Sequence, residues 1–125
     1  MARFLHETGH FSVEQNRVKF RGLMPAKDDN TTSVYVTDDL DDNQVWQLAQ
    51  QYVEATRGPA LARGELTPQD IATVGLALER DDTPPLHAAI IGWPPPSAKD
   101  EIKSKAQELA PKARLVVRER ALPSS

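Results

Sequence analysis

Apolar and polar side chains alternate near the start of the chain and recur every three or four positions further on. Arg3–His6 and Arg17–Leu23 (Arg-Val-Lys-Phe-Arg-Gly-Leu) show the alternation of half-buried strands. Met24-Pro25 ends the second, because proline cannot donate to a ladder. Lys27–Thr32 reads as a polar loop and Ser33–Thr37 as a short strand rich in β-formers. The clearest helix follows. Val45, Leu48, Ala49, Tyr52 and Val53 fall on one stripe over about four turns. Asp38, Asp39, Asp41 and Asp42 precede that stripe, where carboxylates favour the positive end of the helix dipole. Trp46 lies beside it, and Gly58-Pro59 supplies the stop.

The second half alternates short elements. Leu61–Leu66 reads as a strand interrupted by Gly64. Thr67-Pro68-Gln69-Asp70 opens a short helix, with a threonine cap, proline at the first helical position and an acid in the first turn. Leu76–Glu79 and Leu86–Ile91 are strands around a turn at Asp81–Pro85. Ser97-Ala98-Lys99-Asp100 begins a helix with Ile102, Ala106, Leu109 and Ala110 on one face, ended by Pro111. Arg114–Arg118 is the last strand. The pattern predicts one α+β domain over residues 1–125, with a mixed sheet and about three helices. Residues 1–60 supply strands and the long helix, residues 61–122 run β-α-β-β-α-β, and residues 123–125 form a frayed tail. That order matches a ferredoxin-like plan, whose right-handed crossovers would put both helices on one side. The earlier strands must then extend or cover that sheet.

With 125 residues the chain suffices for one core without a staple. Apolar residues at 39% are lean and ten prolines are many, so stiffened connections are expected. The absence of cysteine excludes disulfides, thiolate metal sites and a cysteine nucleophile. No apolar run approaches the ~20 residues of a membrane span. Met1–Glu7 turns polar too soon for a signal peptide, whose apolar stretch runs to roughly 7–15 residues. A soluble cytoplasmic protein is therefore expected. The net charge is −3, with six basic and nine acidic side chains in residues 1–60 and nine of each beyond. Strong phosphate-backbone binders are usually basic overall, so strong nucleic-acid binding is disfavoured.

One stretch matches a catalytic signature. His6-Glu7-Thr8-Gly9-His10 fits His-Glu-x-x-His, which on a helix presents two zinc-ligating imidazoles with a glutamate poised to polarise water. The zinc reading needs a helix through residues 2–11 and a third ligand, either His87 or a carboxylate. Gly9 weakens such a helix by roughly 1 kcal/mol relative to alanine. On a strand, His6 and His10 would lie ~13 Å apart, too far to share an ion. A second catalytic reading needs no metal: His10, Lys19 and His87 supply the residue types for general acid–base cleavage of RNA. Their spacing does not require them to meet. The run Asp38–Asn43 fails as a calcium loop, because Gln44 and Gln50 stand where glycine and glutamate are needed. Trp93-Pro94-Pro95-Pro96 is a candidate recognition surface with His87 upstream of it, since tryptophan is enriched at binding hot spots. The ordinary alternative is that Trp93 closes the core where the strand exits. No phosphate-binding glycine loop and no Gly-x-Ser-x-Gly is present.

Gly9-His10-Phe11-Ser12, Val18-Lys19, Met24-Pro25, Ser33-Val34-Tyr35-Val36 and His87-Ala88-Ala89-Ile90-Ile91-Gly92-Trp93-Pro94 together resemble a group of small bacterial proteins with no established activity. The resemblance spans most of the chain and carries over no residue role. It implies that His10 and His87 belong to separate motifs, which counts against pairing His6 with His10. The expectation is an accessory, regulatory or immunity-type protein that binds a macromolecular partner, most simply a protein, through the sheet edge or the His87–Trp93 region. No cofactor is expected. A zinc hydrolase through His6 and His10 and a ribonuclease through His10, Lys19 and His87 are the competing readings.

Overall fold

Alternation in β1 (Ala2–Leu5) sends Ala2 and Phe4 to one side of a sheet, while Leu5 and the preceding Met1 face the other. A computed structural model describes residues 1–118 and shows what each side meets. Six strands form the sheet: β1, β4 (Thr32–Tyr35), β5 (Ala62–Glu65), β6 (Ala77–Arg80), β7 (His87–Ile91) and β8 (Arg114–Val117). Their order is β6-β7-β4-β1-β5-β8, and every neighbouring pair is antiparallel. The chain is a small α+β domain, as the alternation and the helical stripe predict. The strands β2 (Phe11–Ser12) and β3 (Arg17–Val18) form a separate hairpin.

Among the described residues, four α-helices cover the two faces: α1 (Asp42–Tyr52), α2 (Glu54–Arg57), α3 (Pro68–Thr73) and α4 (Lys99–Leu109). Val45, Leu48 and Ala49 of α1 pack with Ala2, Phe4 and Tyr35 on one face. Ile71 of α3 and Ile102, Ala106 and Leu109 of α4 pack with Leu5, Val34, Ala88 and Ile90 on the other. The two crossover helices thus share a side, as expected. Helix α1 starts where Asp41 accepts from the Gln44 amide at 2.9 Å and Gln44 Oε1 accepts from the Asp41 amide at 3.0 Å, a reciprocal cap. Thr67 and Asp70 cap α3 in the same way.

Three expectations change. The C-terminal half does run β-α-β-β-α-β, but its strands are not contiguous. Taken alone, β8, β5, β7 and β6 stand in ferredoxin-like order, and β1 and β4 are inserted at its centre between β5 and β7. An inserted pair preserves the antiparallel alternation, which is why local pattern cannot reveal it. The predicted strand Arg17–Leu23 is cut to Arg17–Val18. Phe20–Leu23 closes instead into a 3-10 turn that buries Leu23 and Gly22. A Cβ at Gly22 would lie 2.8 Å from Leu5 Cδ2 and 3.1 Å from the His10 carbonyl oxygen, so only glycine allows this approach. The third change is a fourth helix: α2 continues from α1 after Val53 and ends at Gly58, whose φ is +82°. The tail at 123–125 lies outside the described residues.

Candidate functional site

The insertion leaves a seam. β1 and β4 pair at Ala2 with Tyr35 alone, whereas the other neighbouring pairs each run over four residues. Arg3 bridges the interval beyond. Its Nη1 donates to the Ser33 carbonyl at 3.0 Å and its Nε to the Gly22 carbonyl at 2.9 Å. A guanidinium therefore does between these strands what a ladder amide would do.

A cavity of about 230 Å³ opens beside the seam. Its sheet wall comprises Arg3, Phe4, His6, Ser33, Tyr35 and His87, and the end of α1 with α2 provides Tyr52, Val53, Thr56 and Arg57 opposite. His6 Nδ1 lies 3.0 Å from the Gly58 carbonyl and 3.1 Å from that of Pro59. A carbonyl oxygen only accepts, so Nδ1 carries the hydrogen and Nε2 keeps its lone pair. The left-handed Gly58 turns the chain that presents these carbonyls. His87 is fixed by the same logic. Its Nδ1 lies 2.7 Å from Asp81 Oδ1, which also accepts from the Thr83 amide at 3.1 Å. The His87 ring meets Tyr35 edge-on at 5.4 Å. Leu86, just before it, has φ +68°, an unusual conformation for a bulky residue. The Leu86 carbonyl accepts from the Val36 amide at 2.8 Å, which holds the strained turn against β4.

The lining is cationic and contains no carboxylate. Burial, and then the nearby Arg57 charge, lower the Arg3 pKa to about 10, so it remains charged at neutral pH. Burial also pushes the His6 pKa below its ordinary value. Arg57 and Arg3 push the same way, and the two carbonyls offset part of the shift. His6 is therefore held neutral. Tyr35 moves up, through burial and the negative Asp81. The Asp81 carboxyl is held down by the His87 and Thr83 hydrogen bonds. Arg57 itself makes no ion pair within 4.0 Å among the described residues.

The residues singled out from sequence are distributed differently from either catalytic reading. His6 and His87 share this cavity without His10, an arrangement that neither catalytic reading proposed. Lys19 lines a separate concavity with Arg17, Phe20 and Arg21. His10 lines neither, its carbonyl accepting from the Lys19 amide at 2.9 Å and its Nε2 3.4 Å from Glu7 Oε2. The zinc reading required a helix over residues 2–11, and those residues form β1 followed by a 3-10 turn at Thr8–His10. His6 and His10 hold different partners, and no group of three or more histidine, aspartate or glutamate side chains among the described residues is placed to bind a metal. Trp93 is 6% exposed, packed with the α3–α4 face, and its indole Nε1 has no acceptor among the described residues. His87 and Trp93 therefore do not form one surface. Sequence reasoning gave no site role to Arg3, Arg57 or Tyr35, which come together only in the fold. No helix of the described residues is long and apolar enough to cross a membrane.

No family model, curated protein or solved structure matches this chain.

Proposed function

We propose that this protein acts in the cytoplasm as a small accessory, regulatory or immunity-type protein, holding a macromolecular partner at the face around the seam cavity. One observation carries the reading: Arg3, Arg57, His6 and His87 line a concave site free of carboxylates, in a chain whose net charge is −3. A local field opposite in sign to the whole selects and orients an anionic group rather than a long polyanion. Size supports the same view. Pockets for whole small ligands run to roughly 300–1,000 Å³, and this one is smaller, suited to a group that projects from a larger molecule. The partner is best read as a protein. Affinity capture with the full chain tests this: one defined partner should be retained by the wild type and lost by Arg57→Ala and by His87→Ala. Retention of the same partner by both variants, or of none by the wild type, contradicts the proposal.

A second reading has one observation in its favour. Two imidazoles with Nδ1–H pinned, and with no partner at Nε2 among the described residues, flank arginines in one cavity, the residue types for acid–base phosphodiester cleavage. It replaces His10 and Lys19 with His6 and Arg3. RNA cleavage in chelator that disappears in both His6→Ala and His87→Ala would favour it over binding.

A further inference from the structure

We propose that the seam cavity is a receptor for a phosphoryl group carried on a protein side chain. This rests on the binding reading and names the group recognised. The argument starts from the arginines. Arg3 is immobilised by two carbonyls that take Nε and Nη1, and among the described residues Nη2 has no acceptor. Arg57 stands close enough to oppose the Arg3 charge. Two like charges at a partly desolvated site repel, and the repulsion is relieved when an anion lies between them. The carboxylates nearest the cavity histidines are already engaged: Asp81 with His87, and Glu7 with His10. An anion supplied from outside is what the arrangement lacks.

The number and kind of donors favour phosphoryl over carboxylate. A planar guanidinium pairs with two oxygens at once, and two of them match the oxygens of a dianion better than those of a monoanion. Ser33, Tyr35 and Tyr52 also line the cavity, and their hydroxyls, which form no hydrogen bond among the described residues, are neutral donors for an anion there. His6, held neutral, offers a lone pair at Nε2 to the hydroxyl of a monoprotonated phosphate, while the arginines take the unprotonated oxygens. Phe4 contributes an apolar wall, tilted against Tyr35 at 5.8 Å, against which the carrier's methylene or ring can lie.

A protein carrier is favoured over nucleic acid by the remaining surface. Asp38, Asp39, Asp41 and Asp42 at the start of α1 and the negative total oppose a strand of repeated phosphates. The opposite holds for one phosphorylated side chain, whose charge is confined to the cavity.

Calorimetric titration of the full chain distinguishes these outcomes. The probes are a short Gly-Ala peptide with one central phosphoserine, its unphosphorylated twin, phenyl phosphate, inorganic phosphate, and a 5′-phosphorylated oligonucleotide. The phosphopeptide or phenyl phosphate should bind, the unmodified peptide should not, and the oligonucleotide should bind no more tightly than inorganic phosphate. Arg57→Ala should weaken binding by roughly tenfold or more, as expected for loss of a charge-assisted contact. Arg57 is exposed, so this variant leaves the core intact, and Arg57→Lys should restore part of the affinity. Equal binding of the two peptides, no binding of any phosphorylated probe, or affinity unchanged in Arg57→Ala overturns the proposal. Tighter binding of the oligonucleotide overturns it in favour of a nucleic-acid terminus. If capture of a partner depends on Arg57 and His87 while phosphorylated probes fail, this inference falls and the binding reading stands. If the probes bind and no partner is captured, the cavity still takes a phosphoryl group, and the assignment of its carrier to a protein partner falls.

Discussion

His6 shows how a single side chain acquires a role from partners that sequence spacing cannot reveal. Read locally, it is half of a His-Glu-x-x-His pattern; in the fold it is a neutral imidazole pinned to the Gly58 and Pro59 carbonyls beside two arginines. That neutrality has a consequence for stability. Burial and the arginine charges lower the His6 pKa in the folded state, so below the ordinary histidine value near 6.5 the unfolded chain binds more protons. The stabilisation is present in full above about pH 6.5 and declines as pH falls through the lowered folded value. His10 acts in the same direction, through burial and then the charges of Arg3 and Arg21, against Glu7. Urea unfolding at a series of pH values should show stability falling from pH 7 towards pH 5, with a flatter decline in His6→Asn. An identical decline in that variant would contradict the assignment. At this scale the sequence already marked His6 and His87 as chemically interesting. Arg3 and Arg57 were illegible, because one bridges a seam and the other lies on a four-residue helix, and neither position follows from periodicity.

Elements were the most legible level. The Val45, Leu48, Ala49 stripe buries against the sheet as its spacing requires, and the acidic run before it contains the residue that caps the helix. Asp41→Ala removes the side-chain acceptor for the Gln44 amide and should cost about 0.5–2 kcal/mol by urea denaturation. Asp41→Asn, which keeps an acceptor, should cost less; equal losses would mean that charge rather than the hydrogen bond matters. Arg17–Leu23 was misread because Phe20 and Leu23, three apart, suit a tight turn as well as a strand, and the closeness of Gly22 to Leu5 and His10 decides between them. Gly64 shows the same effect in a strand that was read correctly: a Cβ there would meet Val18 Cγ2 at 3.0 Å, so the interruption reflects close packing of the β2–β3 hairpin on the sheet.

At the scale of the whole molecule, the order of elements was readable and their neighbours were not. Strand pairing joins residues far apart in sequence, and nothing in the alternation of β1 or β4 says that they enter the centre of the sheet. Their buried faces are satisfied equally well at an edge. The insertion matters because it creates the place where two central strands part, and the functional account depends on that parting. The most direct test is NMR of the histidine rings in the full-length protein while inorganic phosphate is added. His6 and His87 should both carry their hydrogen on Nδ1 at neutral pH, and both should shift along one binding curve that is lost in Arg57→Ala. Independent curves for the two rings, or a response from neither, would show that they do not share an anion site and would contradict the account.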